Sequence, residues 1–479
     1  MKDTPETPKK KKKKKGNPWV ENIESLVVAV ILALIIRTFV LEAFVIPTGS
    51  MAETLYGNHY ELTCENCGYR YALGAGTNGR ALVLERVRCP NCGEQASGVP
   101  RRGGVSGGDK ILVNKMPYLF GEAERWDPFV FVNPNVRKAD RKPYKTTYIK
   151  RLVGMPGETL EVFRGDIVVD GHIQRKPASA QKSLWMPVYD INYVWKRGSA
   201  WETPGDAWRL DGKRLVADCP AGEVASVRYR GRLGDVDDPG TIRDVYGYDH
   251  DLSVANGPRV SGAGENVVTD LRVAFDVRGT AKGTLKMQLR RDDVEDVATI
   301  DFAKGRCEIR PAEGEPKSTS FDEIGFGGLS EDRTRRIRFE RLDYLLVLAI
   351  DGKTVLRYDL WNADRYRTWV VLAEGDSLGP HRSSGVQIGA AGAKLELTNL
   401  TIHRDIYYTY GPSRNSDRKI YKAFRIPKGC YFAMGDNSPE SWDSRYWAED
   451  HGEQFVPRDH LIGKALVIWW HPRRMRIVR

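Results

Sequence analysis

Apolar residues run unbroken over 26–36, and the flanks lengthen the run with Trp19, Val20 and Ile23 before it and Phe39, Val40 and Leu41 after it. A bilayer span needs about 20 residues, so the core of the run is short and the flanked segment 19–44 is long enough. No small-x-small cleavage site follows closely, and Arg37 and Glu42 lie near one end, where a long basic side chain snorkels to the interface. The pattern predicts a retained membrane helix; a cleaved signal-peptide core and a buried helix of a soluble domain are the alternatives. Downstream the period changes. Residues 108–115, 126–132, 160–170, 455–457 and 461–470 alternate or run apolar over strand lengths between turn residues, with Arg164-Gly165-Asp166 at one bend. No long helical periodicity interrupts them, which predicts an antiparallel β domain.

A second strand-rich series fills 181–419. Its predicted strands are 271–277, 283–289, 297–302, 336–339, 345–350, 355–358, 368–372, 385–388 and 395–402, separated by turns such as Asp351-Gly352. Most alternate apolar with polar, as in a two-sheet sandwich. The pattern is similar to the jelly-roll modules related to laminin G and concanavalin-type lectins, a likeness of pattern without a motif. Such an insert serves as a packing or spacer domain, or binds a glycan or protein partner. Trp185, Trp195, Trp201 and Trp208 near its start are core candidates before they are a sugar platform.

Length and charge add the topology. A chain of 479 residues is expected to hold two to four units. The net charge of +11 is spread out except for seven consecutive lysines at 9–15. That block lies in a polar segment, 1–18, that is too poor in apolar residues to fold alone. Basic residues stay on the cytoplasmic side of a span, so the N-terminus is expected inside and everything from about residue 45 outside. Anionic lipid, and not nucleic acid, then suits the lysines.

Four of the seven cysteines form two knuckles, Cys64-Glu65-Asn66-Cys67-Gly68 and Cys89-Pro90-Asn91-Cys92-Gly93, with 21 residues between them. Paired knuckles at this spacing place four thiolates around Zn²⁺. A structural zinc is the expectation, since four Cys ligands leave no open coordination position for catalysis. Two disulfides are the competitor outside a membrane. Cys219, Cys307 and Cys430 are isolated.

Candidate catalytic chemistry lies in three stretches. Pro47-Thr48-Gly49-Ser50-Met51 offers the Ser50 hydroxyl on a turn stiffened by Pro47, where Gly49 allows close backbone approach to a ligand. Alone, a Thr-Gly-Ser turn is ordinarily just a turn. Tyr148-Ile149-Lys150-Arg151-Leu152-Val153 and Gly435-Asp436-Asn437-Ser438-Pro439-Glu440-Ser441-Trp442-Asp443-Ser444-Arg445 are the others. A nucleophilic serine needs a base. None of the eight histidines lies in these stretches, although His451, His460 and His471 are near the third. A Ser-His-Asp arrangement therefore stays open beside a Ser-Lys pair with Lys150. A free lysine titrates near about 10.4 and must lose about 3 units, roughly 4 kcal/mol, to act at neutral pH. Apolar flanks and the like charge of Arg151 are the expected means.

Together the three stretches resemble the signature boxes of type I signal peptidase, the bacterial leader peptidase that removes signal peptides. The resemblance implies Ser50 as nucleophile, Lys150 as general base, and the Ser50 N–H with the Thr48 hydroxyl as oxyanion hole. It also implies that Ser441 orients the lysine, that Asp443 and Arg445 form a supporting ion pair, and that Met51 lines the site. Glu53 and Ser438 depart from the family's usual Pro and Arg. The expected map is mainly β: a tail over 1–18, an anchor over 19–44, a first catalytic segment over 45–63, a zinc-ribbon-like insert over 64–100, a second catalytic segment over 101–180, a sandwich insert over 181–419 and a last catalytic segment over 420–479. The function implied is a serine endopeptidase of the inner (plasma) membrane, its catalytic domain on the outer face, acting on exported preproteins without a catalytic cofactor. A self-cleaving repressor-type regulator lacks a DNA-binding segment here. A tethered carbohydrate- or protein-binding module with a vestigial peptidase is the alternative.

Overall fold

The structure, a computed structural model, describes residues 18–75, 87–96, 104–134, 146–232, 239–245, 247–249, 263–375, 377–409, 421–448, 453–470 and 472–478. The lysine block, His451 and His471 lie outside the described residues.

Helix α1, Pro18–Ile35, starts on a proline, whose missing N–H costs nothing at a first helical position. It continues as a π-helical turn, Ile36–Val40. The segment Asn22–Val40 is 19 residues long with mean hydropathy 2.4 and no part of it is buried, so it is long and apolar enough to cross a membrane. The end expected at residue 44 is corrected. Leu41–Val45 is strand β1, paired with β4 (Lys110–Asn114) from Leu41↔Asn114 to Val45↔Lys110. No linker separates helix from sheet. Lys115 fixes the junction: its N–H donates to the Val40 carbonyl (2.9 Å), its ammonium to the Thr38 carbonyl (3.2 Å), and it pairs with Glu42 at 2.7 Å.

The sheet that carries β1 runs β1, β4, Leu461–Trp470, β5 (Pro128–Val132), β6 (Thr147–Gly154), Cys430–Met434, Val456–Pro457, all antiparallel. Phe129 faces Lys150 and Met434 faces Arg151 in register. Successive strand residues point to opposite faces, so Lys150 and Arg151 serve different sides of the sheet. Each side has its own core. Ile46, Met51, Leu55, Ile111, Val113 and Val130 pack on one, and Phe129, Phe131, Leu152, Tyr431 and Trp447 on the other. The bend expected at 164–166 joins β7 (Thr159–Phe163) to β8 (Asp166–Val169), with Arg164 at φ 49° and Gly165 at φ 95°. That is the double positive φ of a tight hairpin. Strands β2 (His59–Thr63) and β3 (Arg70–Gly74) form a hairpin around the first cysteine knuckle.

The insert is a 13-stranded hydrogen-bonded array built on two long strands, Leu271–Arg291 and Ser384–Arg404, of 21 residues each. The sequence reads each as two short strands. The first half of Leu271–Arg291 pairs with Arg335–Leu342 and the second half with Val294–Asp301, so one strand serves two groups of neighbours. The kink is a register shift between Ala281 and Thr284. Gly283 is required there, because a Cβ would meet the Ala391 carbonyl. One continuous core of Val273, Phe275, Leu285, Met287, Ile300, Ile337, Ile388 and Leu397 joins both groups. Trp201 and Trp208 belong to it. A second correction concerns 368–372, expected as a strand. Ala363–Glu374 is a helix, capped where the Asn362 side chain accepts the Arg365 N–H.

Candidate active site

Ser50 lies in a turn that is held from two directions. The Gly49 carbonyl accepts the Ala52 N–H (2.9 Å) and the Asn437 side-chain amide (3.0 Å), and the Ser50 carbonyl accepts the Asn437 N–H (3.1 Å). In a trans peptide the N–H points opposite the C=O, so the Ser50 N–H faces away from Asn437. Thr48, exposed, and Ser50, half-buried, line a cleft of about 530 Å³. Its walls are Phe44 to Pro47 on one side and Thr147 to Lys150 on the other, with Trp442 at the rim.

Lys150 is buried on β6, and its Nζ donates to Ser50 Oγ at 2.6 Å. Burial pushes its pKa down to about 8. Asp443 pulls it upward and Arg445 presses it down. The Asp443 carboxylate is engaged elsewhere: it takes Nε (2.8 Å) and Nη2 (2.7 Å) of Arg445 and the Gly435 N–H (2.9 Å). Both side chains of that ion pair are fully buried. Ser438 accepts Arg445 Nη1 at 2.7 Å, so the residue that departs from the usual Arg becomes part of this arginine's cradle.

Several other residues differ from expectation. Arg151 does not press on Lys150. It pairs with Asp436 at 2.7 and 2.6 Å on the opposite face, and Arg445 supplies the like charge. The Ser441 hydroxyl is buried against Gly435 and the Ser50 carbonyl, with no hydrogen bond to Lys150 or to any other described residue. Met51 is fully buried beneath the turn and is not among the cleft-lining residues. His460 Nδ1 donates to the Val132 carbonyl (3.1 Å) and is not among the cleft-lining residues. Asn437 and Tyr248 are the contributors that residue patterns do not single out for the cleft.

Cys64, Cys67, Cys89 and Cys92 converge, all four sulfurs within 4.8 Å of one another. The pairs Cys64–Cys92 and Cys67–Cys89 are 3.5 and 3.7 Å apart. A disulfide needs about 2.05 Å, so these are four thiols. Each knuckle closes the same way: the Gly68 N–H donates to Cys64 and the Gly93 N–H to Cys89, both at 2.8 Å, with φ of 74° and 75°. Their asparagines reach the insert. Asn66 accepts the Arg197 N–H and Asn91 the Asp190 N–H. Cys219 and Cys307 are buried, and burial pushes their thiols up to about 11 and about 12.

The family model described as "Signal peptidase, peptidase S26" matches residues 19–78, 102–187 and 388–470. The gaps fall on part of the cysteine module and on most of the sandwich. "Probable signal peptidase I-2" of Synechocystis sp. is 29% identical over 35% of this chain and 52% of its own length. "Signal peptidase I" of Leptolyngbya laminosa is 27% identical over 35% of this chain and 60% of its own. "Signal peptidase I" of Buchnera aphidicola subsp. Baizongia pistaciae is 50% identical over 16% of this chain and 26% of its own. The chain thus spans about half the length of the curated relatives it matches.

Proposed function

We propose that this chain, three segments of which match the model of the signal peptidase family, peptidase S26, is a serine endopeptidase that removes signal peptides from exported preproteins. The observation that carries the reading is the 2.6 Å contact between Lys150 Nζ and Ser50 Oγ in a site where, among the described residues, Arg445 takes both oxygens of the Asp443 carboxylate. The neutral amine takes the Ser50 proton as Oγ attacks the scissile carbonyl. The Ser50 N–H and the Thr48 hydroxyl bind the oxyanion. Lys150 returns the proton to the departing amine, and water then clears the acyl-enzyme with Lys150 as base again. No cofactor takes part. Ser441 fills space beside the nucleophile turn, and Asp443 and Arg445 hold the third stretch in place.

Helix α1 anchors the enzyme in the membrane. The lysines at 9–15 keep the N-terminus cytoplasmic beside anionic lipid, and the catalytic domain lies on the outer face of the plasma membrane. Zinc fits the four thiols, since Zn–S bonds of about 2.3 Å in a tetrahedron give sulfur separations near 3.8 Å. Its role is structural, tying the β2–β3 hairpin to the second knuckle. Metal analysis of purified protein is expected to find one zinc; zinc-free protein with oxidised cysteines removes this element of the proposal. A glycan-binding role for the sandwich finds no support in Trp201 and Trp208, which are core.

The test is cleavage of a synthetic signal-peptide substrate by the full chain in detergent. Ser50→Ala and Lys150→Ala are each expected to lose at least about 10³-fold in kcat while still unfolding cooperatively as folded proteins. Cleavage at wild-type rate by either variant overturns the proposal.

A further inference from the structure

We propose that Tyr248, a residue of the insert, is a positioning residue for the nucleophile, bolting the turn that carries Ser50 against the β2–β3 hairpin. The proposal rests on the peptidase reading above and goes beyond it, because the matched family segments do not include residue 248.

Tyr248 is nearly fully buried, yet it lines the cleft together with Thr48, Gly49 and Ser50. Its ring edge abuts Gly49. A Cβ built on Gly49 would come within 2.1 Å of Tyr248 Cε1, and the three nearest atoms all belong to Tyr248. Gly74, at the end of β3, meets the same part of the ring: a Cβ there would come within 2.6 Å of Tyr248 Cε1. The ring is therefore a wedge in space that both glycines leave open. Its hydroxyl donates to the Asn58 carbonyl at 2.9 Å, the same oxygen that accepts the Ala75 N–H. Tyr56 stacks behind it at 5.4 Å, and the Arg474 guanidinium caps Tyr56 at 3.5 Å.

Two independent clamps thus meet at the turn. Asn437 holds the Gly49 and Ser50 carbonyls from the catalytic domain, and Tyr248 holds the Gly49 Cα from the insert. A 2.6 Å contact to Lys150 tolerates little drift of Ser50, and misplacement of about 1 Å at a reacting atom can cost about 100-fold. The insert is by this account a working part of the active site. It contributes no reacting atom; it restricts where the nucleophile sits.

Gly49 has no left-handed φ, so alanine there is opposed first by the Tyr248 ring, which supplies the three nearest atoms. The experiment is a double-mutant cycle in the full chain. Gly49→Ala and Tyr248→Ala are each expected to lower kcat about 10-fold or more with little change in KM. Because the ring and the added methyl compete for one space, the double variant is expected to be at least about fivefold more active than the product of the single losses. Tyr248→Phe, which keeps the wedge, is expected within about threefold of wild type. In Tyr248→Ala the rate-versus-pH limb is expected to move upward as water reaches Lys150, which a loss of global stability alone would not produce.

Labelling of Ser50 by a fluorophosphonate probe reports the same order without a peptide substrate. Failure of the wild type to cut signal peptides, with labelling still following that order, sinks the substrate reading and leaves this one. Strict multiplicativity in the cycle, or Tyr248→Ala with wild-type kcat and labelling rate, overturns this one.

Discussion

Lys150 and Lys176 are both buried, 4% and 7% exposed, and they have opposite electrostatic fates. Lys176 lies between carboxylates. Its ammonium contacts Asp343 and, at 2.8 Å, Asp405, with Asp166 and Asp270 in the same cluster. Attraction outweighs burial there and holds its pKa well above the lysine range. Lys150 has the same burial without the partners. Asp443 is the nearest large attraction on it, and Arg445 has claimed both oxygens of that carboxylate. Burial then wins and the pKa falls to about 8. What separates a structural lysine from a prospective base is therefore not depth but whether a neighbouring arginine has already neutralised the carboxylate in reach.

Three predictions test that contrast. The largest effect is on stability at Lys176. Lys176→Met leaves four buried aspartates without their central cation, and breaking such a pair costs about 3–5 kcal/mol. Denaturant unfolding followed by tryptophan fluorescence should show it, and an unchanged midpoint would mean that the cluster is neutral by another route. The second is on rate. If neutral Lys150 is the active form, kcat/KM climbs about tenfold per pH unit below its pKa and levels above about 8; Asp443→Asn, by removing an attraction, moves the limb lower. A profile levelling near pH 6 with a histidine-like limb would transfer the base to another group.

The smallest effect is on stability at Lys150. A depressed folded-state pKa favours folding above pH 10.5, and that contribution is lost as pH falls from 10.5 to about 8. The loss is about 3 kcal/mol, against about 1 kcal/mol for the Ser50 hydrogen bond. Lys150→Met should therefore be more stable than wild type by roughly 2 kcal/mol at pH 7, and the advantage should disappear as the pH approaches 10.5. Destabilisation at pH 7 would contradict the burial cost on which the contrast rests.

The active-site stretches are readable because each is short, contiguous and chemically typed. Ser50, Lys150 and the Asp443–Arg445 pair need no knowledge of long-range packing. Arg151 misleads because adjacency in sequence on a strand means opposite faces, and its partner Asp436 is 285 residues away. The 21-residue strands look like four short ones because Gly279, Gly283 and Gly392 read as turn punctuation. At the first two the missing Cβ is where the opposing strand's carbonyl passes, at Lys394 and Ala391. The run Thr-Trp-Val-Val-Leu at 368–372 has strand composition, and the local cap at Asn362 overrides it. Tyr248 leaves no trace in the chain, since nothing local marks a ring that packs on glycines in another domain.

The direct passage from α1 into β1 has a geometric consequence. Ser50 lies nine positions after Leu41, a tether of at most about 32 Å even fully drawn out. On the proposed function, with α1 across a bilayer, the Ser50 hydroxyl would work at a set height over the lipid, as a blade mounted on a short post. A preprotein whose own greasy stretch stayed immersed would then offer only those bonds that emerge at that level, so that depth would select the cut before side chains do.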